Sequence, residues 1–352
     1  MNNYSVYPLT PSSVERRKDE IVSLWNTNLS GNFVSRFDWF YKQNVCGFPE
    51  TFIAEYTETG QVVGSNSLAP FYIKAFGKRI KIGVAVDFMI KQQFRVFGPA
   101  LAIQKTILAS IEKSDLNFVF AYPNKAAKGV FLRSGYEVIG EVNYLTKILK
   151  FRHKIKKLSG NNIIYNLLSR LIDYAMEGIE RIIRNVCGND YYTEQLKECD
   201  ERVDALLKTF SNQREIVADK DSKYLNWRYS RNQAKDYFFF YLINKKNKLL
   251  EGYIVYCQED QHITVWDIAF LRKKSMCVML NEFSAHARKI GGNSISLTYL
   301  GDETLSKDLR INLFFNRKSN RCCVCYLNGG VVDRGEILNI SNWLIFDGDL
   351  DL

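Results

Sequence analysis

Apolar and polar residues alternate along much of the chain, and this alternation predicts pairs of strands joined by short turns. One hairpin is predicted over residues 52–67 and a second over residues 71–90, the latter turning at Gly77. Two further strands are predicted over residues 136–149. Because successive side chains of a strand point to opposite faces, each of these strands should bury one face.

Apolar residues spaced by three and four predict the helices. These are expected over residues 14–28, 101–111, 163–185 and 193–208, with an aromatic helix or turn over residues 35–41. The long segment 163–185 has a broad apolar stripe and follows a basic connector. We favour a helix that packs between two lobes, and the alternative is a helix that lies on a membrane surface.

The segment 84–100 carries the first candidate chemistry. An apolar strand leads through Arg95-x-x-Gly98-x-Ala100 into a helix. The unpaired N–H groups at a helix N-terminus attract anions, and a glycine removes a side chain that would keep a phosphate away. This short pattern is also compatible with an ordinary tight connection.

A second motif follows the first in sequence. A buried strand predicted over residues 117–122 precedes Asn124, and the segment ends at Gly135-Tyr136. The order strand, R-x-x-G-x-A, helix, strand, N-x-x-A and G-[FY] resembles the GNAT superfamily of acyl-CoA-dependent N-acyltransferases. The resemblance covers residues 1–150 and implies acyl-CoA as co-substrate, with no metal.

The resemblance also implies roles for individual residues. The backbone of Phe88, Met89 and Ile90 would hydrogen-bond the pantetheine arm. The pyrophosphate would lie against the loop and first helical turn, formed by Arg95, Val96, Phe97, Gly98, Pro99, Ala100 and Leu101. Asn124 would contact the pantetheine arm, cap the next helix, or do both. The remaining predicted acyl-CoA contacts are Lys128 and Phe131.

Acyl transfer also needs a proton acceptor for the amine and a proton for the departing thiolate. Asp87 is the predicted base, with a bound water as the alternative, and the amide N–H after Asp87 is the predicted oxyanion donor. Many GNAT members have a tyrosine where this chain has Phe131, so Tyr122 is the predicted substitute proton donor. The predicted catalytic residues are Asp87, Tyr122 and Asn124.

The pattern of the first half recurs in the second. The same interval separates three pairs of residues: Trp39 and Trp227, Tyr41 and Tyr229, and Gly64 and Gly252. Asp87 corresponds to Asp267 at a slightly shorter interval, and ordered matches of this kind indicate a duplicated unit. Since no glycine follows Asp267 where Gly98 follows Asp87, the second copy is not expected to bind the cofactor.

Together these patterns predict an α+β fold of two GNAT-like lobes. Each lobe should be a mixed, mostly antiparallel sheet flanked by helices, and a helical linker should join them. The expected divisions are an acyl-CoA-binding lobe over residues 1–150, a helical connector over 151–210 and a degenerate second lobe over 211–352.

Charge and composition narrow the expected partners. A formal net charge of +10 favours a polyanionic partner, but the basic residues are dispersed, so nucleic acid is not the expected one. The chain has 8 cysteines without paired C-x-x-C spacing, and Cys322, Cys323 and Cys325 are interpreted as buried thiols. The sequence shows neither a signal-peptide pattern nor a run of apolar residues long enough to span a membrane. We therefore predict a cytoplasmic protein.

The acceptor is predicted from a finer resemblance. Two lobes with a degenerate second copy, the aromatic segment 224–229 and the segment 343–349 resemble N-acyltransferases of surface-polysaccharide pathways, such as those of lipopolysaccharide or capsule. This implies a nucleotide-linked, commonly dTDP-linked, amino-dideoxy sugar, with Arg228 and Trp39 as its contacts. The alternatives are an aminoacyl-tRNA-dependent peptidyl transferase and a non-catalytic sugar-nucleotide or nucleic-acid binding module.

Overall fold

The computed structural model describes residues 3–27, 33–95, 97–151, 163–329 and 332–349. Within these ranges the strands form a 16-stranded mixed sheet, and helices pack against it. The α+β class and the mixed sheet flanked by helices, both predicted from the sequence, are confirmed.

The first half of the chain supplies most of the first lobe. Its strands are β1 (Tyr4–Leu9), β2 (Glu50–Tyr56), β3 (Gln61–Ala75), β4 (Lys78–Ile90), β5 (Phe118–Ala121), β6 (Glu137–Glu141) and β7 (Asn143–Ile148). Its helices are α1 (Pro11–Arg16), α2 (Lys18–Asn26), α3 (Phe33–Arg36), α4 (Phe97–Ile111) and α5 (Lys125–Arg133). A π-helical turn, Phe37–Lys42, continues α3, and a 3₁₀ turn, Gln92–Phe94, lies between β4 and α4.

Helix α6 (Ile163–Cys187) then leads into a second lobe. Its strands are β8 (Tyr191–Leu196), β9 (Ile216–Ala218), β10 (Tyr237–Asn244), β11 (Leu250–Glu259), β12 (His262–Phe270), β13 (Ser294–Gly301), β14 (Phe315–Arg317), β15 (Cys322–Leu327) and β16 (Trp343–Phe346). Its helices are α7 (Arg202–Ser211), α8 (Ser222–Leu225), α9 (Lys273–Lys289), α10 (Glu303–Ile311) and α11 (Arg334–Leu338). The π-helical turn Asn226–Ser230 continues α8, and the 3₁₀ turns Ile340–Asn342 and Asp347–Asp349 flank β16.

The order of elements in the second lobe follows that of the first. In both lobes a short helix runs into a π-helical turn, three antiparallel strands follow, and then a helix, a strand, a second helix and two final strands. The pairing of β8 with β10 likewise matches that of β1 with β2. The two-lobed architecture predicted from the repeated residues is therefore confirmed.

The lobes exchange their final strands. Strand β7 of the first half lies between β13 and β14, while β15 of the second half lies between β5 and β6. Backbone hydrogen bonds of the sheet therefore join segments that lie on opposite sides of the predicted domain boundaries at residues 150 and 211. The division into residues 1–150, 151–210 and 211–352 remains a prediction.

Two equivalent tryptophans meet where the lobes join. Trp39 Nε1 donates to the carbonyl oxygen of Trp227 at 2.7 Å, and Trp227 Nε1 donates to that of Trp39 at 3.2 Å. Their rings stack with centroids 5.6 Å apart. Such reciprocal bonds arise when equivalent residues of a repeat face each other across an approximate two-fold axis.

Several local predictions were wrong in their boundaries. The helix expected over residues 193–208 is strand β8 followed by α7, because the alternating side chains of Tyr191–Leu196 pair with β10. The helix expected over 14–28 is two helices that meet at Arg17. The two predicted hairpins share one long strand, β3, instead of being separate.

The long helix α6 does not pack between the lobes as predicted. One face contacts α9, but the large apolar side chains of the opposite face are exposed. The apolar stripe that suggested a buried helix therefore faces outward. None of the described helices is long and apolar enough to cross a bilayer.

The hydrophobic core is in two parts. The larger part runs through both lobes, and a smaller one fills the space between the first lobe's sheet and helices α4 and α5. All 8 cysteines are free thiols, and Cys322, Cys323 and Cys325 are buried in β15 as predicted.

We expect the tryptophan pair to couple the two lobes energetically. Replacing either Trp39 or Trp227 with phenylalanine leaves a buried carbonyl without its donor, so each change should lower the free energy of unfolding by about 1–3 kcal/mol. Chemical denaturation measures this loss. Because the two side chains touch, the loss in the double variant should differ from the sum of the single losses.

Trp266→Phe provides the control for this cycle. Trp266 Nε1 donates to Cys257 Sγ at 3.0 Å within the second lobe. The decrease in unfolding free energy caused by Trp266→Phe should simply add to the decrease caused by Trp39→Phe. Simple addition for Trp39 and Trp227 as well would show that the two side chains are not coupled.

Candidate active site

Strand β4 extends beyond its neighbour on one side. It pairs in parallel with β5 only as far as Ala85, which lies opposite Ala121, where β5 ends. Strand β4 continues beside β3 to Ile90. A gap therefore opens beside the last residues of β4 in this part of the described structure.

The backbone of β4 points hydrogen-bonding groups into this gap. Lys91 N–H bonds to the Val63 carbonyl oxygen on the β3 side. Because backbone groups alternate sides along a strand, the amides of Phe88 and Ile90 face the opposite side. Arg95 Nε reaches the Ile90 oxygen there at 3.2 Å.

A β-bulge separates the side chains at this point. The register between β3 and β4 shifts between Ser65 and Ser67, so Asp87 and Phe88 both lie opposite Asn66. Asp87 has φ of 53°, in the left-handed region that aspartate tolerates better than most residues. Asn66 is fully buried, and neither atom of its amide has a hydrogen-bond partner among the described residues.

The Asp87 carboxylate is held on both oxygens. Arg36 donates from Nε and Nη2 to Oδ1 at 3.1 and 2.9 Å, and Tyr41 donates to Oδ2 at 2.9 Å. Asp87 is buried. Burial, followed by the Asp87 charge, raises the pKa of Tyr41 well above its ordinary value, so Tyr41 remains a donor. Asp87 is thus fixed within the protein, which makes it a poor candidate for the predicted base.

Helix α4 begins beside the gap with Gly98 in its first turn. Because Pro99 has no N–H, the amide donors of this turn are those of Phe97, Gly98 and Ala100. A Cβ at Gly98 would lie 3.3 Å from Tyr4 Cε2. Glycine at this position therefore allows the Tyr4 ring to pack closely, whatever else binds the loop.

The other predicted pyrophosphate contacts lie around this turn. Arg95 and Gly98 are exposed, Ala100 is buried and Leu101 is half-buried. Val96 lies outside the described residues, as does the side chain of Phe97.

Helix α5 closes the far side of the gap. The side chain of Asn124 accepts a hydrogen bond from Ala127 N–H at 2.9 Å, which confirms the capping role. The Phe131 ring is 5.5 Å from that of Phe88, and Lys128 lies half-buried one turn after the cap. The side chains of Phe88 and Phe131, two residues predicted to contact acyl-CoA, therefore meet across the gap.

Tyr122 lies on the other face of the sheet. It follows β5 directly and packs beside Phe120, whose ring stacks on Trp343 in the larger core. The Arg321 guanidinium is 4.7 Å from the Tyr122 ring centroid. The Tyr122 hydroxyl is buried without a hydrogen-bond partner among the described residues, and burial raises its pKa. It therefore stays protonated at neutral pH.

A buried charged cluster lies beyond this face, between the lobes. Lys220 Nζ is 2.8 Å from Asp267 Oδ1 and 3.0 Å from Asp349 Oδ2. Burial raises the pKa of Asp349 to about 6, while Lys220 opposes this shift and Asp267 adds to it. A carboxyl group with such a pKa can gain or lose a proton near neutral pH.

The predicted acceptor contacts are buried beside this cluster. Arg228 Nε donates to the Gly348 oxygen at 2.6 Å, and its guanidinium lies 5.6 Å from the Trp39 ring centroid. Asp347 is 3.4 Å from Arg321, and burial raises the pKa of Asp347. Trp39 itself is occupied by its stacking on Trp227.

A small cavity of about 30 Å³ joins the cluster to the first lobe. Its lining includes Val84 and Val86 of β4 together with Arg228 and Asp349. This space admits a water molecule or an amino group, whereas a sugar ring is too large. Asp349 thus shares a largely apolar cavity with the strand that carries the bulge.

Sequence reasoning assigned no role to Asp347 or Asp349. The sequence does contain a signal there, since two aspartates flank a glycine directly after an apolar strand. Carboxylates next to a buried strand are seldom buried without a partner, so this pattern indicates a paired charge. Their position beside Arg228 and Lys220 depends on contacts between distant segments.

In the described part of the second lobe, β12 pairs with β13 as far as Val265, and β16 then pairs with the end of β13. No glycine stands in the turn that leads from β12 into α9. Asp267 is buried on the strand equivalent to β4, but Lys220 and Tyr253 hold it instead of an arginine and a tyrosine of the preceding helix. Helix α9 follows directly, capped by Arg272 without a side-chain hydrogen bond. Among the described residues, no group of His, Cys, Asp and Glu side chains is placed to hold a metal ion.

No protein-family model and no curated protein matches this sequence. Solved structures do resemble the fold. A protein of unknown function from Enterococcus faecalis, described as a probable N-acyltransferase, has a TM-score of 0.64 and 12% identity, covering 93% of this chain and 73% of its own. A GCN5-related N-acetyltransferase from Anabaena variabilis has a TM-score of 0.63 and 10% identity, and the match covers 93% of this chain and 73% of that one.

The N-myristoyltransferase of Saccharomyces cerevisiae, solved with bound myristoyl-CoA, is also similar. Its TM-score is 0.57 at 10% identity, and the match covers 93% of this chain and 83% of that one. At these identities the comparisons establish a shared fold, the two-lobed GNAT-like architecture.

We expect Gly98→Val to disturb both the Tyr4 contact and the first turn of α4. If the glycine serves only Tyr4, the double variant Tyr4→Ala/Gly98→Val should bind CoA as well as Tyr4→Ala does. If the turn itself receives the pyrophosphate, both valine variants should lose at least about tenfold in CoA affinity, because a β-branched side chain crowds the amide donors. Calorimetric titration with CoA measures this, and unfolding temperatures check the fold.

Proposed function

We propose that this chain is an N-acyltransferase that moves an acyl group from acyl-CoA to the amino group of a nucleotide-linked amino-dideoxy sugar, with dTDP as the nucleotide. The observation that carries the acyl-transfer part is the open side of β4 beside the first turn of α4. There, backbone donors and acceptors face a gap next to a helix N-terminus. The similarity of fold to N-acyltransferases supports the same conclusion.

In this proposal the pantetheine arm lies along β4 as an additional strand would. The backbone of Phe88 and Ile90 provides the hydrogen bonds, and the pyrophosphate lies against the amides of the first turn of α4, with Arg95 nearby. Hydrogen bonds to charged groups contribute roughly 1.5–3 kcal/mol each. The unpartnered amide of Asn66 at the bulge supports a polar ligand atom at this point.

Holding the thioester beside the amine supplies the largest share of the rate enhancement in this scheme. The amine nitrogen attacks the thioester carbonyl carbon, and the Phe88 N–H stabilises the oxyanion. The carbon–sulfur bond then breaks, and the CoA thiolate leaves and takes a proton from water. The proton lost by the amine goes to a carboxylate of the protein.

We assign that carboxylate to Asp349. Lys220 donates to its Oδ2 at 3.0 Å and Tyr224 to its Oδ1 at 3.4 Å, yet its pKa is raised, and this pKa together with its place on the cavity with Val86 supports the role. The amino group of the acceptor would enter the cavity while the rest of the acceptor remains outside. Asp87 becomes a positioning residue, since its pairing with Arg36 and Tyr41 fixes the bulge. Tyr122, with its raised pKa, is a hydrogen-bond donor and a weak acid.

The acceptor class rests on the sequence resemblance and on the net charge of +10, which suits a sugar diphosphate. Trp227 and Tyr229 are core side chains, so a stacked base would need another surface. Arg228 could neutralise acceptor charge only from within the lobe interface.

The decisive test incubates the protein with a panel of acyl-CoA species and nucleotide-linked amino sugars and reads the products by mass spectrometry. We expect an acylated sugar nucleotide and free CoA. CoA binding without product would retain the cofactor site and reject this acceptor class. Absent CoA binding together with RNA binding that falls steeply with salt would reject the acyltransferase assignment.

Asp349→Asn should reduce turnover by about 10²–10⁴-fold, because a positioned base contributes that much. In the wild type, kcat/KM should rise as pH increases through about 6, since Asp349 must lose its proton to act. The variant should lack this rise. Asp347→Asn, two residues away and paired with Arg321, is the matched control, and an equal loss there would indicate disruption of the whole segment.

A further inference from the structure

Helix α6 has an uncovered apolar face. Its exposed fractions are 73% for Ile164, 58% for Leu171, 63% for Ile182 and 75% for Val186. At 100° per residue these side chains share one stripe, which runs for about 33 Å at a rise of 1.5 Å per residue. Exposed apolar patches of such extent mark interaction surfaces.

The opposite face of α6 is fixed to the protein. Glu180 is buried and pairs with Lys147 Nζ at 2.8 Å and with Arg288. Ser169 is also fully buried and lies on the same face of the helix as Glu180. Since these contacts set the rotation of the helix about its axis, the apolar stripe must point away from both lobes.

The charged residues of α6 are also divided between the face that contacts the protein and the exposed surface. All three acidic residues are engaged on the protein side: Glu180 as above, Glu177 with Arg288 at 3.4 Å, and Asp173 with the Phe151 N–H at 2.7 Å. Arg170 and Arg181 are exposed. A second copy of this chain would therefore bring arginines against arginines, whereas an anionic surface would complement them.

Two tyrosines lie at the borders of the stripe. By helical spacing, Tyr174 lies at one border beside Leu167, and Tyr165 lies at the other beside Leu168. Both tyrosines are exposed, at 72% and 47%. Tyrosine is enriched where an apolar medium meets water, because its ring is apolar and its hydroxyl is polar.

We propose that α6 is a peripheral membrane anchor: its apolar stripe inserts into the surface of a bilayer that contains anionic lipid, and its arginines bind the headgroups. The helix lies in the plane of the membrane, since no described helix can span one. Amphipathic shape, outward basic charge and bordering tyrosines all fit this single occupant. The proposal is independent of the acyl-transfer reaction.

The test is sedimentation of the full-length protein with vesicles of phosphatidylcholine alone and of phosphatidylcholine and phosphatidylglycerol in equal parts. We expect binding to the anionic vesicles that weakens with added salt. Leu171→Glu/Ile182→Glu should lower partitioning roughly tenfold or more, since each change removes an apolar side chain from the bilayer and adds a negative charge. Arg170→Glu/Arg181→Glu should remove the preference for anionic vesicles.

Matched controls change similar residues elsewhere. Leu249→Glu/Ile311→Glu replaces exposed apolar residues outside α6, and Lys113→Glu/Lys274→Glu makes the same change in net charge as the arginine variant. Both controls should bind vesicles nearly as the wild type does. Unfolding temperatures verify that the α6 variants, altered only at exposed positions, remain folded.

Three results would overturn the proposal. One is wild-type protein that does not sediment with anionic vesicles, and another is equal binding by the Leu171→Glu/Ile182→Glu variant. The third is a dimer, measured by light scattering, that the same variant dissociates while vesicle binding is absent. That result would assign the stripe to contact between copies of the chain.

Discussion

The structure depends on the joining of two similar lobes through exchanged strands and one tryptophan pair. Strand β7 completes the second lobe and β15 completes the first, so neither lobe's part of the sheet is whole without a strand from the other half. Trp39 and Trp227 donate to each other's backbone at the point where the lobes meet. A lobe separated from its partner would lose an internal strand and leave a row of backbone groups unpaired, which is costly in a buried sheet.

This joining places unlike halves around one site. Both lobes bury an aspartate on equivalent strands, but Arg36 and Tyr41 hold Asp87 whereas Lys220 and Tyr253 hold Asp267. Among the described residues, the gap beside β4 and the glycine in the following turn belong to the first lobe. The second lobe contributes charge instead, because Lys220 pairs with the Asp349 carboxylate of raised pKa, in the turn Asp347–Asp349, beside β4. Duplication thus allows one copy to bind a cofactor while the other shapes the opposite side of the sheet.

The described geometry separates residues that hold the site from those that could act in it. Asp87 lies at a strained bulge with both carboxylate oxygens engaged, so its evident contribution is to fix the backbone of β4. Gly98 first of all accommodates Tyr4. Two of the buried polar groups left without partners among the described residues are the amide of Asn66, which lies at that bulge, and the hydroxyl of Tyr122, which follows β5. Unsatisfied buried polar groups are costly, so they mark where a ligand or water is expected.

The sequence alone determined the α+β class, the duplication and the cap at Asn124, because these depend on local periodicity, ordered matches and a short-range hydrogen bond. It also predicted the buried cysteines of β15. Only the tertiary structure decided that β7 and β15 change places, that Asp87 is paired with Arg36, and that Asp349 lies beside Lys220. The same is true of α6, whose apolar stripe has the same sequence pattern whether it faces a core or solvent. Periodicity defines a face of a helix or strand, but what covers that face depends on residues far away in the chain, and no local pattern encodes their approach.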